Sequence, residues 1–230
     1  MPHPRVLFLN CTLKKTTAEK ASHTQRLIDI VASEMTKIGA ITKTIRPVDH
    51  VVPFGIHTLI KDAPQDDWPM IHDAILECDV LVIASPIWFG TRASVTQLVM
   101  ERISGMYEER DPKTGQYPLY NKVGACIVTG NEDGAHDVIA NTLYNLTHMG
   151  ATIPPNADCY WVGEAGPGPS FGDDESTLKN AFTNRTARYL AENTMHAAKS
   201  LNSNPYDINL DKIDADIDTK LNISKKHVRE

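Results

Sequence analysis

The strongest constraint on this chain is an alternation. Short runs rich in apolar and β-branched residues, at 5–10 (RVLFLN), 40–46 (AITKTIR), 79–84 (DVLVIA), 122–129 (KVGACIVT) and 157–162 (ADCYWV), are separated by stretches whose apolar residues recur three and four apart. Leu27, Ile28, Val31, Met35 and Ile38 predict a helix over 22–38 that stops at Gly39. Comparable spacings predict helices over 68–78, 91–103, 135–149 and 175–199. A short continuous apolar run is a buried strand, and the three-and-four spacing is one face of a helix. Strands joined through helices lie parallel, with right-handed crossovers and helices on both faces of the sheet. The alternation therefore predicts an α/β fold of three layers around a five-stranded parallel sheet.

The length suits one large domain of this kind, assigned to 1–200, followed by a polar C-terminal extension over 201–230. The flavodoxin-like strand order 2-1-3-4-5 is the natural candidate. Inserts at 47–66, 105–121 and 163–174 are rich in turn residues and read as surface loops, suited to lids or subunit contacts. The extension beyond Ser200 reads as an arm that wraps a neighbour or stays mobile. A net charge of -6 with scattered lysines and arginines argues against nucleic acid or an anionic membrane as the main partner. Neither a signal-peptide-like apolar stretch nor a membrane-length window is present, so a cytoplasmic protein is expected. Cys11, Cys78, Cys126 and Cys159 form no C-x-x-C pair, and the histidines form no H-E-x-x-H pattern, so no metal site is expected.

In a doubly wound sheet, ligands bind beyond the carboxyl ends of the strands, which directs attention to 10–24, 85–90 and 129–134. The first loop brings the hydroxyls of Thr12, Ser22 and Thr24, with His23, to a helix start, where N–H groups and the helix dipole favour a phosphate. Ser22 equally suits a helix N-cap. Lys14, Lys15 and Lys20 add positive charge. The loop lacks glycine, so it is neither a Walker A motif nor a dinucleotide fingerprint. The second loop, Ser85-Pro86-Ile87-Trp88-Phe89-Gly90, places two aromatic side chains where a flat ligand could stack. The third, Thr129-Gly130-Asn131-Glu132-Asp133-Gly134, combines close backbone approach with a polar amide.

Taken together, these three segments resemble the NADPH-dependent FMN reductase group of flavodoxin-like proteins, over roughly residues 5–195 and most specifically at Ser85–Gly90. The resemblance implies FMN as cofactor, with its phosphate held by Thr12, Ser22, His23 and Thr24. It implies that Pro86, Ile87, Trp88, Phe89 and Gly90 line the isoalloxazine and ribityl chain, and that Thr129, Gly130, Asn131 and Gly134 meet the other edge. The first loop is longer and richer in lysine than the family pattern, and the cysteine cluster of the iron–sulfur members is missing.

The implied activity is hydride transfer from NADPH or NADH through FMN to free flavin, a quinone or another small electrophile. No protein side chain is required as a catalytic nucleophile, because the cofactor carries the chemistry. The 105–121 loop is expected to help Trp88 or Phe89 cover the reacting face, and the family resemblance implies a homodimer or homotetramer. Two other readings compete: a flavodoxin-type electron carrier without NAD(P)H activity, and a flavin-free α/β interaction domain.

Overall fold

A computed structural model describes residues 3–164 and 168–223. The five expected runs form β1 (Arg5–Asn10), β2 (Ile41–Ile45), β3 (Val80–Trp88), β5 (Val123–Thr129) and β6 (Asp158–Trp161), all parallel in the order β2-β1-β3-β5-β6. This is the expected flavodoxin-like order with a sixth strand added, since β4 (Thr91–Arg92) folds back antiparallel on the end of β3. Period-two alternation divides the strand side chains between two faces. Val6, Phe8, Val80 and Val82 pack with α1 (His23–Lys37) and α6 (Ala181–Ser203). Leu7, Leu9, Leu81 and Ile83 pack with α2 (Trp68–Glu77) and α3 (Ser94–Ser104), while α4 (Ala135–His148) covers Cys126 and Val128.

Strand β3 runs straight through Pro86, whereas the sequence suggested an end at Ala84. The last bond from β1 is Cys11 N–H to the Ala84 carbonyl at 2.8 Å. Pro86, two residues on, faces the same side where β1 has ended, so its missing N–H costs no ladder bond. The helix expected from residue 91 begins at Ser94 because Thr91 and Arg92 are taken into β4. The helix expected over 175–199 is two: α5 (Glu175–Leu178) stops, and Asn180 caps α6 by accepting from Thr183 N–H at 2.9 Å.

One expectation about the inserts needs correction. Helix α3 carries the chain away from the carboxyl edge of the sheet, so within one protomer 105–121 lies at the opposite edge and does not cover the aromatic loop. The arm expected beyond Ser200 runs to Ser203 as the last turn of α6 and beyond it lies on that same insert of its own chain, while its residues 224–230 fall outside the described residues. Gln116 donates to the Tyr206 and Ile208 carbonyls at 2.9 Å each, and Leu210 N–H reaches the Thr114 carbonyl at 2.7 Å. There it forms α7 (Leu210–Leu221), none of whose residues is buried. Among the described residues no helix is long and apolar enough to cross a membrane, and no metal-ligating cluster occurs.

Candidate functional site

The three loops singled out in the sequence meet at the carboxyl edge of the sheet. Ser22 is the N-cap of α1: its Oγ accepts from Gln25 N–H at 3.2 Å and its carbonyl accepts from Arg26 N–H at 3.4 Å. The N–H groups of His23 and Thr24, the first two of the helix, have no acceptor among the described residues. Such open donors at the positive end of a helix dipole are the elements of an anion site.

Thr24 anchors this end to the middle of the sheet, its Oγ1 lying 2.8 Å from Thr129 Oγ1 at the end of β5. Both threonines are buried. Two hydroxyls joined by one hydrogen bond use one hydrogen between them, so the other remains available to donate. Thr12 is also buried, its Oγ1 accepting from Lys14 N–H at 3.2 Å. His23 turns toward the 168–174 segment and donates from Nδ1 to the Phe171 carbonyl at 3.0 Å, with Asp173 at 3.6 Å.

The aromatic segment is a tight hairpin. Trp88 pairs with Thr91 across a two-residue turn, Phe89–Gly90, in which both residues have positive φ, 50° and 75°. This is the left-handed pair that a type I′ turn requires, and it is unusual for a phenylalanine. Phe89 is 97% exposed and Trp88 51% exposed, so the turn presents two aromatic faces to solvent. The third loop holds the turn in place: Phe89 N–H donates to the Glu132 carboxylate at 3.0 Å. Gly134, at φ 127°, sits so close to Gly90 that any Cβ there would collide with the Gly90 carbonyl.

Ile87, on the inward side of the hairpin, is buried beneath Gly130, where a Cβ would stand 2.8 Å from Ile87 Cδ1. Pro86 pairs in register with Thr129. Gly130 N–H reaches the Trp161 carbonyl at 2.9 Å, and Asn131 Nδ2 donates to the Gly168 carbonyl at 3.3 Å.

Four residues at this edge escaped the sequence reading. Asn10 is fully buried at the end of β1, where its Oδ1 accepts from Thr12 N–H at 3.2 Å and its Nδ2 donates to Gln25 Oε1 at 2.8 Å. A polar residue closing an apolar run was the signal for it. Glu132 needed the hairpin geometry. Among the described residues Trp161 Nε1 is buried without a partner, and Arg46 follows the end of β2. The cysteines take no part: burial pushes the Cys11, Cys78 and Cys159 thiols up to about 12 and raises Cys126 as well.

A flavin 5′-phosphate fits this donor set. The open His23 and Thr24 amides, the spare hydroxyl hydrogen of the Thr24–Thr129 pair and the unpartnered Trp161 indole are all donors at one sheet edge, beside exposed aromatic rings.

Comparison with known proteins agrees. The family model for NADPH-dependent FMN reductase matches residues 4–165. The chain is 36% identical to 8-demethyl-8-aminoriboflavin-5′-phosphate synthase of Streptomyces davaonensis, over 90% of this chain and 82% of that protein. It is 40% identical to a part of the divalent metal cation transporter MntH of Mycobacterium bovis, over 86% of this chain but only 29% of the transporter's length. The crystal structure of RosB with bound 8-demethyl-8-formylriboflavin-5′-phosphate superposes with a TM-score of 0.87 at 32% identity, over 99% of this chain and 90% of that one.

Proposed function

This chain belongs to the NADPH-dependent FMN reductase family, and from that premise we propose that it is an FMN-dependent oxidoreductase using NAD(P)H as donor and a small electrophile, such as a quinone or free flavin, as acceptor. The observation that carries the reading is the Thr24–Thr129 hydroxyl pair at the open end of α1, beside the Phe89–Gly90 turn. The α1 amides of His23 and Thr24, with the Thr12, Ser22 and Thr24 hydroxyls, hold the phosphate. Thr129, Gly130 and Asn131 meet one edge of the ring system, and Trp88 and Phe89 bound the face on which donor and acceptor alternate. Bound FMN supplies the two-electron chemistry. A hydride leaves the nicotinamide and, with one proton from solvent, ends on the acceptor, so a quinone becomes a quinol. Glu132 and Gly134 keep the aromatic turn in a fixed conformation, so no ordering is required when substrate arrives.

A second reading is favoured by the similarity to the aminoriboflavin phosphate synthase and to RosB. In it the riboflavin phosphate is the substrate, altered at its 8-methyl group, rather than a resident cofactor. Mass analysis of the flavin recovered after turnover separates the two. Unchanged FMN alongside oxidised nucleotide supports the reductase; an 8-formyl or 8-amino flavin supports the alternative. Thr24→Val should weaken FMN binding in both cases, and unaltered binding would remove the assigned phosphate site.

A further inference from the structure

The loop after β1 has no glycine, and no residue from 10 to 24 has positive φ. Its backbone therefore does not curl into the anion-binding nest that right- and left-handed residues make in succession. Side chains set its shape instead. Leu9 pairs with Ile45, so the residues that follow, Asn10 and Arg46, leave β1 and β2 side by side. Val6 and Phe8 face α1, and at period two so does Asn10.

From these two residues a closed circuit of hydrogen bonds runs through the loop. Arg46 Nη1 donates to the Lys14 carbonyl at 3.3 Å, Lys14 N–H to Thr12 Oγ1 at 3.2 Å, and Thr12 N–H to Asn10 Oδ1 at 3.2 Å. Asn10 Nδ2 at 2.8 Å and Arg46 Nη2 at 3.2 Å then share Gln25 Oε1, which closes the circuit on the first turn of α1. Gln25 is kept in this orientation by donating its Nε2 to Asp29 at 2.9 Å.

The charge of Arg46 exceeds what bracing a loop requires. Among the described residues no carboxylate forms an ion pair with it, and its buried Nε has no partner. Asp49, nearby, is taken up by the N–H and hydroxyl of Thr16. A partly desolvated guanidinium whose acceptors are all neutral keeps its charge uncompensated, and an anion placed close to it offsets that cost. Arg46 borders a cavity of about 280 Å³ that is also lined by Ser22, the cap of the helix whose His23 and Thr24 amides are open.

We propose that Arg46 is a positioning residue for the flavin phosphate. Through Lys14 and Gln25 it holds Thr12 and the start of α1 in the arrangement that receives the dianion, and its uncompensated charge favours a phosphorylated flavin over an unphosphorylated one. This rests on the reading above that FMN binds with its phosphate at that helix start, and it adds to the three loops a residue from the end of β2.

The test compares binding of FMN with binding of riboflavin, which has the same ring system without the phosphate, by quenching of flavin fluorescence. The unmodified protein should prefer FMN. Arg46→Met should reduce that preference about tenfold while riboflavin affinity stays within about twofold. Gln25→Ala removes the shared acceptor and leaves a good helix former in its place, so it should reproduce part of the loss. Because both substitutions open one circuit, the double variant should lose no more than Arg46→Met alone. An unchanged preference in Arg46→Met, or losses that multiply in the double variant, would overturn the proposal. Should Arg46→Met lower both affinities equally, Gln25→Ala decides: a selective loss of FMN upholds the assignment, and an equal loss overturns it. Absence of FMN binding by the unmodified protein would instead remove the reading on which the assignment rests, so the two failures are distinct.

Discussion

The backbone N–H of Phe89 donates to the carboxylate of Glu132 at 3.0 Å, tying the aromatic turn after β3 to the loop after β5. The bond holds a non-glycine residue at φ 50°, a conformation that costs about 1–2 kcal/mol and persists only when its surroundings impose it.

Removing the carboxylate should therefore loosen the turn more than the fold. Glu132→Ala is expected to weaken FMN binding about threefold to tenfold, the effect of one hydrogen bond to a charged group at a partly exposed site. Flavin fluorescence titration measures the change, and the thermal midpoint should move little.

Gly134→Ala should act on the same junction by collision. A Cβ at φ 127° is strained and would meet the Gly90 carbonyl, so a loss of about 2–4 kcal/mol is expected in urea unfolding. Gly134→Ala should also displace the turn, whereas an alanine at exposed Asp133 should do neither.

Arg102 and Asp66 form a buried ion pair at 2.8 Å, with side-chain exposures of 0% and 2%, and Arg102 also donates to the Pro53 and Thr58 carbonyls. Arg102→Met leaves a buried carboxylate unpaired and should cost about 3–5 kcal/mol, read by the same denaturation.

The same pair sets an acid limit. Burial alone would raise the Asp66 carboxyl, but hydrogen bonds from Arg102 and from the Ile60 and Trp68 N–H groups outweigh it and hold the group below its usual range. Its stabilisation is therefore fully present above the unfolded carboxylate value, about 3.9, and is lost as pH falls through the lower folded value. Urea midpoints of the unmodified protein should drop more steeply below about pH 4 than those of Asp66→Asn.

With all four thiols buried and Cys11, Cys78 and Cys159 raised to about 12, a thiol reagent at mildly alkaline pH should find none in the native protein. All four should react once the chain is unfolded in denaturant.

The sheet was legible because burial on both faces leaves a strong mark: β1, β3 and β5 are unbroken apolar runs, and α1 announces itself from Ser22 to Gly39. The three loops at one edge followed from topology. The hairpin at Phe89–Gly90 did not, because phenylalanine is a poor residue for left-handed backbone and only the contact with Glu132 and Gly134 selects it. The docking of α7 was hidden for a similar reason: its anchors are Gln116, Leu210 and Asn209 backbone and amide contacts, which have no periodic signature. Arg46 looked like the polar end of a strand until its placement against α1 showed what faces it.

The most direct test of the account is the visible spectrum of the FMN-reconstituted protein before and after NADPH is added without oxygen. The account predicts stoichiometric FMN binding, bleaching of the flavin band by NADPH, and its return when a quinone is added. Failure to bind FMN, or a bound flavin that stays oxidised with both NADPH and NADH, would contradict it.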